Sequence, residues 1–236
     1  MTQLEYDTLL EQVIQTHFLK LDIDVDINNL LNEYKSVEKK YSFEKYRTKY
    51  WGVKKKYARS WSGIALVSSD GNLYSDMREG QPLRAAQTTP LKDECPHFYR
   101  LIKKLNGEFA GCRARIMRIS PHESLIWHSH VHEHNQHKSL LTVQIPIIVP
   151  KQFEYCVVDK DEFKWYKRVY RPNWFKTVSR KRLEAGSAYV FNSYHYHNVY
   201  NYSDEHRVAL MLYLDLKKPR IFELVKRSME KQNEKI

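Results

Sequence analysis

A chain of 236 residues with 42% hydrophobic content is long and apolar enough to bury one sizeable core, which excludes global disorder. Its net charge of +11 suits an anionic partner such as nucleic acid, an acidic metabolite or an acidic protein surface, and equally a solvated basic face. Only 7 glycines, with no GxGxxG or GKT-type segment, argue against a phosphate-cradling loop.

Two amphipathic helices open the chain. Residues 3–19 place Leu4, Leu9, Leu10, Val13, Ile14 and Phe18 near helical spacing, and residues 26–40 repeat the pattern with Ile27, Leu30, Leu31, Tyr34 and Val37. Both are expected to cover a sheet. The basic, aromatic residues 42–60 read as a loop crossing to the core. Trp61–Ser69 reads as a strand closed by the turn pair Asp70-Gly71. After irregular residues 75–95, Pro96 opens a short helix through Leu105, with Phe98, Leu101, Ile102 and Leu105 on one face.

From Gly111 the pattern turns β. Arg113–Ile119 is a candidate strand and Leu140–Val149 a clearer one. In the latter, Leu141, Val143, Ile145, Ile147 and Val149 share an apolar face, while Thr142 and Gln144 sit on a face suited to a partly wet interior. Phe153–Val158 follows as another strand. Tyr189–Leu216 reads as two neighbouring strands joined by a polar turn, the first carrying His197 and the second Arg207. Val208, Leu210, Leu212, Leu214 and Leu216 share one face of the second strand, and Arg207, Ala209, Met211, Tyr213 and Asp215 the other. An interior arginine needs an anion, either a ligand or an internal carboxylate. Pro219–Lys235 reads as a final helix. Several strands with short turns and helices at both ends predict a jelly-roll-like double sheet. The expected division is a helical cap at 1–60, a core at 61–218 and a terminal helix at 219–236.

The histidines mark the site. His128, His130, His132 and His134 recur every second residue and would share one face of an extended strand. Neighbours at i and i+2 can reach one ion, so His128 and His130, joined by His197, form the expected metal set; a plain surface histidine loop is the competing reading. His195, two before His197, is the main rival ligand, and His122 and His206 are weaker candidates.

Four segments, TPLKDECPHFYRLIKKL, RARIMRISPHESLIWHSH, LLTVQIPIIV and AGSAYVFNSYHYHNVYNYSDEHRVALMLYLDL, follow in that order between Trp61 and Leu216. Together they resemble the aspartyl/asparaginyl β-hydroxylase-like branch of the iron(II)- and 2-oxoglutarate-dependent oxygenases, which includes bacterial proline hydroxylases. The last is the most specific: a metal histidine, a following Val-x-Asn and an arginine stand at the family's interval. The resemblance implies a mainly β, double-stranded β-helix (jelly-roll, cupin-like) core with flanking helices. It also implies iron(II) at His128 and His197, and 2-oxoglutarate held at its distal carboxylate by Arg207 with help from Gln144. The implied reaction consumes O2, forms succinate and carbon dioxide, and hydroxylates an unactivated C–H of an amino acid, a related small molecule or a peptide side chain. The family's usual His-x-Asp reads His128-Ser129-His130 here. Either His130 supplies a third nitrogen, or two histidines bind and water fills the gap.

Between Val158 and Ala185 the chain is longer and more basic than a hairpin needs. Lys164–Arg182 carries eight Lys or Arg and five aromatics, a mixture that fits single-stranded nucleic acid, an acidic peptide, a substrate lid or a solvated hairpin. Three functions therefore stand open at this point: the oxygenase, a catalytically silent metal-binding module on the same fold, and a nucleic-acid-interacting protein using residues 160–182. Cys95, Cys112 and Cys156 are widely spaced with no CxxC, which predicts free thiols in a reducing compartment. No apolar run of about 18 residues occurs and the start lacks a basic-then-apolar layout, so no membrane partner and a cytoplasmic location are expected.

Overall fold

A computed structural model describes residues 1–45, 60–75, 87–109, 112–125, 127–130, 139–158 and 178–234. The first helix, α1 (Gln3–Gln15), begins where Thr2 and Glu5 cap each other. Glu5 N donates to Thr2 Oγ1 at 3.2 Å, and Thr2 N donates to Glu5 Oε2 at 2.6 Å. Its buried face is Tyr6, Leu9 and Val13; Leu4 and Ile14, which fit the helical spacing equally well, are exposed. The helix stops short of the expected residue 19. Phe18–Lys20 instead form strand β1, which buries Phe18 and Leu19 against a sheet edge. Helix α2 (Ile27–Lys40) starts at the N-cap Asp26 and buries Leu30, Tyr34 and Val37.

The strands follow as β2 (Glu44–Lys45), β3 (Trp61–Ser68) and β4 (Gln87–Thr88), before helix α3 (Pro96–Asn106). Pro96 occupies its first turn and Gly107, at φ +83°, its left-handed C-cap. No side chain of Cys95 caps α3; a buried carboxylate from α2 does so instead. His97 N and Phe98 N donate to Glu33 Oε1 and Oε2 at 2.7 and 3.0 Å, and His97 Nδ1 lies 2.7 Å from Oε1. Glu33→Ala therefore removes a helix cap and the tie between two helices. It should cost about 1–2 kcal/mol, read as a lowered urea midpoint at unchanged slope.

The remaining strands are β5 (Ala114–Ile119), β6 (Leu140–Ile148), β7 (Phe153–Val158), β8 (Ser179–Lys181), β9 (Tyr189–Phe191), β10 (Tyr196–Asn201) and β11 (Arg207–Asp215); helix α4 (Pro219–Asn233) closes the chain. Among the described residues they form two antiparallel sheets. The large one has the order β1-β9-β6-β11-β5-β3-β2, with β4 on β3, and the small one the order β10-β7-β8. This is the expected double-stranded β-helix. Residues 1–45 contribute β1 and β2 to the large sheet as well as two covering helices.

The alternation seen in the sequence sorts the two faces. Leu141, Val143, Ile145 and Ile147 of β6 and Val208, Leu210, Leu212 and Leu214 of β11 join one core with the helices. A second core between the sheets, including Phe18, Ile119, Phe153, Tyr155 and Phe191, plugs the interior with aromatic rings. Pro146 lies inside β6, where it can donate nothing to the ladder. The register shift opposite Val208 and Ala209 accommodates it.

One expectation needs correcting. Tyr189–Leu216 is not a hairpin of neighbouring strands. It is three strands in two sheets: β9 and β11 lie in the large sheet and β10 in the small one. Buried Asn201 makes the crossing possible. Its Nδ2 donates to the carbonyls of Ile119, Ser120 and Glu205, and its Oδ1 accepts from Ser203 N, so the departing chain is pinned to the end of β5. His197 and Arg207 therefore approach from opposite walls of the barrel. All three cysteines are free and buried. No helix among the described residues is long and apolar enough to cross a membrane. The basic segment at 159–177, most of the 42–60 loop, His132 and His134 lie outside the described residues.

Candidate metal and cosubstrate site

A cavity opens between the two sheets, and His128, His130, Gln144, His197 and Arg207 all line it. The backbone brings the histidines together. His128 N donates to His197 O at 3.1 Å and His197 N to His128 O at 2.9 Å, a two-residue bridge that sets the rings side by side. His130 N donates to Ser193 O at 2.8 Å, and the Ser193 hydroxyl lies 2.9 Å from that of Thr142 on β6. The ring centroids stand 4.2 Å apart for His128–His197, 5.3 Å for His128–His130 and 5.2 Å for His130–His197. One ring nitrogen from each falls within 4.8 Å of the others.

The tautomer of His197 follows from its partner. Nδ1 lies 2.9 Å from the carbonyl oxygen of His195, which can only accept, so Nδ1 carries the hydrogen and Nε2 keeps its lone pair. Three converging imidazole nitrogens fit a divalent first-row metal and leave further positions open. Among the described residues no aspartate or glutamate lines the cavity, so the donor set is neutral.

The arginine end is built differently. Arg207 is 3% exposed and its guanidinium lies over the rings of Phe153 and Tyr155, at 5.3 and 5.2 Å. Its Nη2 donates to Gln144 Oε1 at 2.6 Å and to the Tyr155 hydroxyl, and that hydroxyl also donates to Gln144 Oε1. Nε finds no partner among the described residues, and no described carboxylate pairs with the guanidinium. Burial lowers the pKa of Arg207 and pushes the Tyr155 phenol up to about 12, against the pull of the neighbouring guanidinium. Tyr155 therefore stays a hydrogen-bond donor at any working pH. An internal Asp or Glu was the competing expectation for Arg207, and no described residue fills that place.

The other histidines stand apart. His195 Nε2 lies 3.1 Å from Ile14 O and its ring meets His17 edge-on, so the expected rival to His197 contributes its carbonyl and turns its ring elsewhere. His122, at φ 53°, pairs with Asp204 at 2.8 Å. His206 is absent from the cavity lining. Because His195 holds His197 through its backbone carbonyl, which alanine keeps, His195→Ala should change metal affinity less than about threefold, measured by competition with a chromophoric chelator. Thr142 lies on the partly wet face read from the sequence, but Tyr155 and Ser193 had no mark there; each is an ordinary strand or turn residue whose role depends on what lies across the barrel.

The family model described as aspartyl/asparaginyl beta-hydroxylase matches residues 23–170. That stretch contains His128, His130, Gln144 and Tyr155 and ends before His197 and Arg207. No curated protein gives a significant sequence match. Among solved structures, an oxidoreductase of the 2OG-Fe(II) oxygenase family from Burkholderia pseudomallei is 11% identical, with 88% of this chain and 89% of that one covered at a TM-score of 0.50. HygX from Streptomyces hygroscopicus, solved with nickel and 2-oxoglutarate bound, is 10% identical over 90% and 86% of the two chains, with a TM-score of 0.52. A prolyl hydroxylase from Trichoplax adhaerens, in complex with a hypoxia-inducible-factor peptide fragment, is 14% identical over 92% and 91%, with a TM-score of 0.51. At these identities the likeness carries the fold.

Proposed function

The chain belongs to the aspartyl/asparaginyl β-hydroxylase family and is a dioxygenase, and we propose that its cavity holds iron(II) through His128, His130 and His197 and 2-oxoglutarate through Arg207 and Gln144. The observation that carries this reading is a buried guanidinium with no described carboxylate partner, aimed into the same cavity as three converging imidazoles. When bound, iron(II) with 2-oxoglutarate and O2 supplies the oxidising chemistry: one oxygen atom goes to a substrate C–H, giving C–OH, and the other to the keto acid, giving succinate and carbon dioxide.

The protein's own part is positioning. Arg207 presents a planar fork to the distal carboxylate, and the Tyr155 hydroxyl can turn from Gln144 to donate beside it. The aromatic plug around Phe153 and Phe191 keeps bulk water from that end and strengthens the charge interaction. His197 is held in its ligating tautomer by the His195 carbonyl. His130 gives a neutral third nitrogen where the family pattern carries a carboxylate, so the anionic cosubstrate must balance more of the metal's charge. The substrate is an amino acid, a related small molecule or a peptide side chain.

Anaerobic titration of 2-oxoglutarate with and without iron(II), followed by succinate assay on admitting oxygen, tests the reading. Iron-dependent binding and succinate release that rises with a substrate are expected. Binding indifferent to iron, or none at all, defeats it.

A further inference from the structure

We propose that Asn192 is a positioning residue for the metal site. It ties the corner that orients His130 and His197 to the end of helix α1, so that metal binding and the docking of α1 are coupled. The inference rests on the site reading above and adds to it a residue outside the cavity lining.

The corner is residues 192–195, between β9 of the large sheet and β10 of the small one. Two of its carbonyls hold the proposed ligands. Ser193 O accepts from His130 N at 2.8 Å, and His195 O accepts from His197 Nδ1 at 2.9 Å. The first bond places the backbone that carries His130, and the second fixes the ring and tautomer of His197. The Ser193 hydroxyl, 2.9 Å from that of Thr142, holds the corner to β6. A shift of the corner would therefore move two of the three converging nitrogens together, and His128 follows through its bridge to His197.

Asn192 decides where the corner lies. Helix α1 ends at Gln15, and the carbonyl of Ile14 lies in its last turn, where no residue further along the helix donates. Asn192 Nδ2 donates to that carbonyl, and Asn192 N donates to His17 O at 3.1 Å. Asn192 Oδ1 accepts from Tyr194 N at 3.1 Å and closes the turn. A carbonyl only accepts and a backbone N–H only donates, so these two partners also fix the orientation of the amide. One side chain thus shapes the corner and fastens it to the helix.

The helix is a firm anchor. Its Tyr6, Leu9 and Val13 join the core beneath the large sheet, and β1, just beyond it, pairs with β9 from Phe18–Phe191 to Lys20–Tyr189. Asn192 is 6% exposed, so water does not readily replace its bonds when the side chain is truncated. His195 Nε2 makes a second bond to Ile14 O at 3.1 Å, but its ring is partly exposed and water replaces that bond on truncation, in keeping with the mild effect expected of His195→Ala. Whatever orders the corner favours the metal, and by linkage the bound metal favours docked α1 by the same free energy.

The test uses full-length protein and metals that need no turnover. In wild type, zinc(II) should slow amide hydrogen exchange in the peptide spanning residues 13–20, read by mass spectrometry. Asn192→Ala should bind cobalt(II) at least ~10-fold more weakly, with altered visible absorption bands and with the zinc-dependent protection lost. Asn192→Asp still accepts from Tyr194 N but turns an oxygen instead of an N–H toward Ile14 O, so it should behave like the alanine variant. An aspartate variant with wild-type cobalt(II) affinity and bands would leave turn closure alone and overturn the tie to α1. Wild-type affinity and bands in Asn192→Ala overturn it as well, as does exchange in the wild-type protein that ignores zinc(II). If neither variant folds, the wild-type exchange experiment decides by itself. Failure of the wild-type protein to bind cobalt(II) would instead sink the underlying site reading, and the role of Asn192 with it.

Discussion

Arg207→Ala should weaken 2-oxoglutarate binding by between ~30-fold and a few thousandfold, the range for truncating one partner of a buried, hydrogen-bonded charge pair. Metal affinity without the cosubstrate should stay within about threefold of wild type, since Arg207 is not among the three converging histidines. The folded state supplies a second readout. Arg207 is a fully buried cation with neutral partners, Gln144 and Tyr155, which hydrogen-bond each other without it. Burying an uncompensated charge is unfavourable, so the alanine variant without ligand should be at least as stable to urea as wild type. Wild type should instead gain stability when 2-oxoglutarate is added, and the variant should not. Arg207→Lys keeps the charge and loses the fork, so it should bind with intermediate affinity. A variant that lost stability but bound 2-oxoglutarate normally would make Arg207 a structural residue and defeat the assignment.

His197→Ala should lower iron(II) or cobalt(II) affinity by more than ~100-fold, exceeding the 10- to 100-fold typical of losing a residue that merely supports a ligand. It removes one of three nitrogens and, with it, the ring that faces His128 across the bridge. Cobalt(II) absorption reads the coordination directly and needs no turnover. His130→Ala separates the two ligand sets left open by the sequence. A loss comparable to that of His197→Ala makes His130 the third ligand; unchanged affinity and spectrum make the site a two-histidine one. Loss of metal in His195→Ala but not His197→Ala would move the ligand by two residues, against the orientation of both rings.

Much of this could be read from the chain because sheets and helices sort residues by period. The alternation in β6 and β11 predicted which side chains meet the helices and which face the interior, and the structure keeps that division. The same alternation placed Gln144 and Arg207 on interior faces. Spacing paired His128 with His130, since residues at i and i+2 of an extended chain share a side, and the structure brings both beside His197. Periodicity misled at the end of α1. Phe18 fits both a helical stripe and a strand, and only the edge of β9 decides for the strand.

What the sequence determined by itself was therefore the inventory and its sidedness: which residues are apolar, which face inward, and which side chains can ligate a metal or grip a carboxylate. Partnership was decided by the tertiary structure. A polar turn between two alternating strands reads the same whether the chain folds back on itself or crosses to another sheet, because side-chain alternation carries no information about the neighbouring strand. Asn201 resolves it by bonding to carbonyls at the end of β5 and in the turn itself. That crossing puts His197 on one wall and Arg207 on the other, and it leaves Tyr155 between Arg207 and Gln144. A cavity exists only between surfaces distant in sequence, so its lining and its aromatic plug arise from the packing of the two sheets.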